Sequence, residues 1–245
     1  MSAPVFVVAR DQLAVGLVVL DGAEGRHAAT VTRLGPGEDV VVVDGAGRRG
    51  TGTVSALSGK DTLEVDVVSV VDEPEPVPRL VVVQALAKGD RGETAVATMT
   101  EVGVDEVVPW AAARCVTRWN ADRTDKALSR WRSTAQAAAK QSRRAWFPVI
   151  APLTSTREVG ARLASAAVAV VLHEEATEPL SALRLPSAGE IVVVVGPEGG
   201  ITPDELAAFA AAGASAYRIG PTVLRTSTAG TAALAVLLAR THRWS

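Results

Sequence analysis

The chain has 245 residues, 48% hydrophobic and 21% charged, with 4% aromatic residues and a formal charge of −2, a composition that buries a core and is too apolar for a disordered chain. At about 150 residues per domain it forms one large domain or two modest ones, and it has no long unbroken apolar run of the kind that spans a membrane. Cys115 is the only cysteine, and the N-terminus shows no basic segment leading into an apolar stretch and a cleavage site, so a cytosolic protein without an intramolecular disulfide is expected.

The charge is unevenly spread. Residues 1–75 hold 6 Lys and Arg against 12 Asp and Glu, residues 76–150 hold 12 against 7, and residues 151–245 hold 7 against 8. The middle of the chain would draw a polyanion, and the first third would repel it.

Short β-rich runs at 39–43, 52–57 and 63–71 are separated by Gly-rich turns at hairpin-like intervals, which predicts a small β-barrel over residues 1–72. Gly45-Ala46-Gly47-Arg48-Arg49-Gly50 satisfies the dinucleotide-binding spacing, but Thr51-Gly52-Thr53-Val54 after it is poor helix material. The pattern needs a helix N-terminus there, so this segment reads as a hairpin. Residues 73–79, with Pro74, Pro76 and Pro78 among charges, read as a stiff linker.

From residue 80 to 245 apolar strands alternate with helical stretches, the mark of an α/β domain whose parallel strands are buried on both faces. Strands are expected at 80–87, 107–109, 167–172, 191–195 and 216–219, and helices at 91–103, 123–144, 156–165, 203–212 and 226–240. Thr202-Pro203-Asp204-Glu205 joins a capping Thr, Pro at the first helical position and Glu three residues after the cap, so a helix starts at 203.

Two strand-to-helix loops invite a ligand. Gly196-Pro197-Glu198-Gly199-Gly200 follows the strand at 191–195, and the segment from Ile219 and Gly220 to Leu224 and Arg225 follows the strand at 216–219 and runs into Thr226, Ser227, Thr228 and Ala229. Crevices at the carboxyl ends of strands, where glycines admit close backbone approach, are the usual cofactor position in open α/β sheets. Leu172, His173 and Glu174 also follow a strand and would line the same crevice. The three histidines and Cys115 lack metal-ligand spacing, and no metal is expected.

Segment 114–146 carries nine basic residues, among them Arg114, Arg123, Lys126, Arg130, Lys140, Arg143 and Arg144, against Asp122 and Asp125. On a helix, Leu128, Trp131, Ala135, Ala138 and Ala139 share one face and the basic residues lie outside it, so one face packs and the other meets a polyanion. Trp110, Trp119, Trp131 and Trp146 fall in or beside this stretch; Trp131 belongs to the packed face, and the others suggest a base-stacking platform.

Several of these segments together resemble one family. Val195-Gly196-Pro197-Glu198-Gly199-Gly200 and Ile219-Gly220-Pro221-Thr222-Val223-Leu224-Arg225-Thr226 look like the signature of SPOUT, or trefoil-knot, methyltransferases. Gln84-Ala85-Leu86-Ala87-Lys88-Gly89-Asp90-Arg91, Glu101-Val102-Gly103-Val104, Lys140-Gln141-Ser142-Arg143 and Leu172-His173-Glu174-Glu175 resemble the bacterial family that methylates N3 of a uridine in 16S ribosomal RNA of the small subunit. The resemblance spans nearly the whole chain, with Arg26-His27 and Arg33 placed in an N-terminal PUA-like barrel.

It implies a knotted C-terminal domain, a homodimer, and S-adenosylmethionine held by Leu172, His173, Glu174, residues 196–200, Ile219, Gly220, Leu224, Ser227, Thr228 and Ala229. It implies RNA contacts from Arg26, His27, Arg33, Lys88, Arg91, Arg114, Arg123, Lys126, Arg130, Lys140, Gln141, Arg143 and Arg144. Arg225 is the expected catalytic residue, a fixed cation for a uracil carbonyl as the N3 proton leaves. The proton acceptor is open among Glu198, His173 and water. Many relatives have an acidic residue where this chain has Ser227, and often Glu where it has Lys140. A non-catalytic RNA-binding module, or a SPOUT enzyme acting on another RNA or on a ribose 2′-oxygen, is the alternative.

Overall fold

The computed structural model describes residues 3–244, which divide into two units: residues 3–75 with 139–147, and residues 76–138 with 148–244. The assignment of 139–147 to the first unit departs from the expected extent of the second domain, 80–245, and from a boundary confined to the prolines at 73–79.

In the first unit a five-stranded sheet runs in the order β1-β3-β4-β5-β2. Its strands are β1 (Val5–Val7), β2 (Gly16–Leu20), β3 (Asp39–Val43), β4 (Arg48–Ser58) and β5 (Thr62–Asp72). Alternation sets its inner face: Leu63, Val65 and Val67 of β5 are buried with Phe6, Leu20 and Val42, while Asp66 and Val68 are exposed. The glycines at 45–50 form the β3–β4 hairpin, in which Val43 pairs with Arg49 and Gly45 and Gly47 take positive φ. A helical segment between β2 and β3, α1 (Gly22–Arg26) continuing as a π-turn to Thr32, had no sequence signal.

In the second unit a parallel sheet runs β11-β9-β10-β6-β7-β8. The strands are β6 (Arg79–Ala85), β7 (Glu106–Trp110), β8 (Val149–Ile150), β9 (Val168–Leu172), β10 (Glu190–Val195) and β11 (Ser215–Tyr217). The helices are α2 (Arg91–Val102), α3 (Ala121–Gln141), α4 (Thr156–Ser165), α5 (Pro203–Ala211) and α6 (Thr226–Leu238). β6, β7 and β10 are buried almost end to end, as two-sided cover demands. After edge strand β11 the chain turns back to the middle of the sheet, where Gly230 of α6 meets Met99 of α2 and Val82 of β6. Past the end of α6, Arg240 donates to the carbonyls of Leu180 and Leu183 in the β9–β10 connection.

Several boundaries differ from expectation, three of them by a loop or a turn. α3 stops at Gln141 instead of 144, because Arg143 takes the left-handed conformation (φ 58°). β6 ends at Ala85, and β11 ends at Tyr217, which leaves Arg218 and Ile219 in the loop beyond it. Among the described residues no helix is long and apolar enough to cross a membrane.

Candidate functional site

The carboxyl ends of β9, β10 and β11 and the loops that leave them enclose a cavity of about 400 Å³ in the second unit. Parallel strands direct their ends to one side, so the crevice gathers segments far apart in sequence. Leu172, His173 and Glu174 line it from β9; Gly196, Pro197, Glu198 and Gly200 line it from the loop after β10. Ile219, Gly220, Leu224 and Arg225 line it from the loop after β11, with Ala229 in the first turns of α6. Gly199, Ser227 and Thr228, expected at the cofactor, are not on its wall.

Their positions explain why. Gly199 packs on Arg114: a Cβ there would lie 3.0 Å from the Arg114 Cβ, and Arg114 Nη1 donates to the Gly199 carbonyl at 3.2 Å. Ser227 is buried in the first turn of α6, and Thr228 Oγ1 donates to the carbonyl of Arg225 at 3.2 Å. Thr226 ties the two loops together, donating to the Gly196 carbonyl at 3.0 Å. Of the three hydroxyls only Thr226 reaches the cavity wall.

The loop after β10 is clamped from both sides. Glu198 Oε1 accepts from the Lys88 N–H and from Arg91 Nη1, each at 3.1 Å. Burial opposes ionisation of Glu198, but the N–H groups of Glu198 and Lys88 and the Arg91 guanidinium outweigh it and hold its pKa below the usual carboxylate range. Behind the loop, Glu205 is 5% exposed. Its Oε1 accepts from the Ala113 N–H at 2.8 Å and Thr156 Oγ1 at 3.2 Å, and its Oε2 from the N–H and Oγ1 of Thr202 at 3.0 Å. Burial again opposes its ionisation, and the donations from Thr202, Ala113 and Thr156 prevail, so its pKa is lowered as well. The capping box found in the sequence therefore does more than begin a helix: Glu205 joins three segments behind the glycine loop.

His173 Nδ1 accepts from the Glu175 N–H at 3.2 Å. In a neutral imidazole this leaves Nε2 as the donor. Arg225 and Arg218 line the cavity and have no side-chain partner among the described residues, whereas Arg91 is neutralised by Glu198. Arg218 and Tyr217 escaped the sequence reading, which placed both inside a strand running to 219. Cys115 is buried, and desolvation pushes its thiol up, which makes it a poor nucleophile. Among the described residues no group of three or more His, Cys, Asp or Glu is placed to hold a metal ion.

The expected RNA-binding residues fall into several situations. In the second unit Lys88, Arg123 and Lys126 are exposed, Arg130 is exposed but paired with Glu93 at 3.1 Å, and Arg91 and Arg114 serve the glycine loop as described. In the first unit Arg26, His27 and Arg33 are exposed on the helical segment, with His27 edge-on to Phe6. Gln141 and Arg143 are exposed and Arg144 is half-buried; these last two lie beyond the helix that was to present them. Lys140 is a correction: its side chain is 13% exposed, its Nζ lies 2.7 Å from both Glu24 carboxylate oxygens, and it stands over the Phe6 ring. It serves the barrel and not a polyanion. The stacking platform also fails, because Trp110 and Trp131 are buried, Trp119 stacks edge-on to Trp131, and Trp146 packs on Gly47.

Comparison with known proteins agrees with this layout. A family model described as RNA methyltransferase domain matches residues 73–238, and one described as RNA methyltransferase PUA domain matches residues 20–68. The chain is 47% identical to the Ribosomal RNA small subunit methyltransferase E of Mycobacterium tuberculosis over 232 residues, 93% of this chain and 88% of that one. It is 28% identical to the protein of the same name in Bacillus subtilis, over 91% of this chain and 90% of the other. Among solved structures, a Ribosomal RNA small subunit methyltransferase E from Neisseria gonorrhoeae bound to S-adenosyl methionine superposes with a TM-score of 0.88 at 30% identity, covering 98% of each chain.

Proposed function

The chain belongs to the RNA methyltransferase family, and from the cavity it builds we propose that it is an S-adenosylmethionine-dependent methyltransferase acting on N3 of one uridine in 16S ribosomal RNA of the small subunit. The observation that carries this reading is the meeting, at one set of parallel strand ends, of two glycine-containing loops joined by Thr226 and an arginine with no side-chain partner among the described residues. The cofactor fits what is there. Leu172, Ile219, Leu224 and Ala229 supply an apolar wall, the loops supply backbone groups, and a Cβ at Gly196 would meet the Ile201 side chain at 2.7 Å, so glycine lets the loop pack against Ile201. When bound, S-adenosylmethionine supplies an electrophilic methyl group.

The target base must be unpaired and turned into the cavity before N3 can meet that carbon in line. Arg225, exposed at the mouth, holds a uracil carbonyl and stabilises the negative charge that grows as the N3 proton leaves. We assign the acceptor to water: Glu198 is committed to Lys88 and Arg91, and in a neutral His173 the ring nitrogen left over is a donor. Arg26, His27 and Arg33, with Arg123 and Lys126, contact the RNA backbone. We place the protein in the cytoplasm as a homodimer.

The test follows the methyl group. Small subunits lacking the modification, incubated with the protein and methyl-labelled S-adenosylmethionine, should yield labelled 3-methyluridine on digestion. Arg225→Ala should bind the cofactor as before and lose about 100-fold or more in turnover. A different methylated nucleoside would reject the substrate assignment, and unchanged turnover would remove Arg225 from the mechanism.

A further inference from the structure

β2 is an edge strand: β5 is its only strand neighbour among the described residues. Proteins blunt such edges with Lys, Pro or inward charge, because open backbone groups beside apolar side chains capture other chains. Here Leu17 and Val19, at alternate positions of β2 and so on one face, are 64% and 43% exposed, and Val15, just before the strand, is 66% exposed. The next outward row, on β5, is Glu64, Asp66 and Val68, with Leu17 opposite Asp66, Val19 opposite Glu64, and Val68 68% exposed. Neither strand carries a Lys or Arg.

We propose that this edge docks a basic, extended polypeptide segment, which lies along β2 as an added strand, sets apolar side chains on Val15, Leu17 and Val19, and brings Lys or Arg to Glu64 and Asp66. Charge selects the occupant. RNA is repelled by the carboxylates and meets no cation on either strand. A second copy joined β2 to β2 would bring no cation to the carboxylates of β5. The proposal rests on the small subunit being the substrate, a particle whose proteins need basic segments of their own to hold RNA. It also gives the acidic first unit a task beside that of Arg26, His27 and Arg33.

The test uses the full chain with photo-reactive benzoylphenylalanine in place of Leu17, purified small subunits and methyl-labelled S-adenosylmethionine, irradiated together. Label entering the RNA reports that the substrate is engaged. The expected crosslink is to a Lys- and Arg-rich segment of a subunit protein, and its yield should fall about tenfold when Glu64→Lys and Asp66→Lys reverse the row. A crosslink to RNA or to a second copy, no crosslink while label enters the RNA, or a yield indifferent to the charge reversal overturns the docking surface. Neither label nor crosslink overturns the substrate assignment and the docking surface with it.

Discussion

Glu205 and Arg243 show how single buried charges hold this enzyme's frame. Glu205 has a pKa below its ordinary 4.5 in the folded chain, so its contribution to stability is complete above the unfolded value and is lost as the pH falls through the lower, folded one. Unfolding free energy followed from pH 7 downward should therefore drop in the acid range, and Glu205→Gln should flatten that part of the profile while weakening cofactor binding, because the clamp on residues 113, 156 and 202 slackens. Arg243 donates to both Asp105 oxygens, at 2.6 and 3.0 Å, and to the carbonyls of Pro78 and Gly103. Arg243→Ala leaves the Asp105 carboxylate, 8% exposed, without its guanidinium while the Leu80 N–H still donates to it, and should cost about 3 kcal/mol in denaturant unfolding. Arg243→Lys should recover only part, since an ammonium cannot reproduce the two-pronged geometry.

At the scale of elements, two glycines separate rigid neighbours from yielding ones. A Cβ on Gly52 of β4 would overlap the carbonyl oxygen of Asp66 on β5, backbone that cannot move without breaking the sheet. A Cβ on Gly230 of α6 would meet Met99 Sδ at 2.5 Å, the end of a flexible side chain. Gly52→Ala should lower stability by about 3 kcal/mol or more and Gly230→Ala by about 1 kcal/mol, read from thermal unfolding of each variant.

Elements whose signal is local were legible in the sequence. The start of α5 is written in Thr202 to Glu205, both halves of whose capping box form, and the hairpin at 45–50 in its glycines. Segments defined by distant partners were not. β1 is three residues long and exists by pairing parallel with Val41–Val43, and β8 is two residues beside β7. The helical segment 22–32 contains Gly25, a poor helix former, because a Cβ there would run into the backbone of Leu20 and Asp61. The loops that line the cavity were found from glycine and strand pattern, whereas the fate of Lys140 depended on Glu24, more than a hundred residues earlier.

Across the whole molecule, net charge says little and placement says much. The chain is acidic overall, yet Arg123 and Lys126 project from one exposed face of α3 without a side-chain partner among the described residues. Each such cation that meets a phosphate releases counterions, so Lys126→Gln should reduce the slope of log affinity for RNA against log salt by about 0.7–1 and weaken binding regardless of sequence. An unchanged slope would exclude Lys126 from the interface.

The first unit closes only when residues 139–147 join it, bringing Lys140 to Glu24 and Phe6, and Trp146 to Gly47 and the Glu73 carbonyl. During synthesis the strands that end at Asp72 therefore wait, incomplete, while the following segment is translated, a delay of about 4–15 s at roughly 5–20 residues per second. Of the two units the first is begun earlier and not finished earlier: the nascent chain must keep an unclosed, acidic sheet soluble until its last piece emerges.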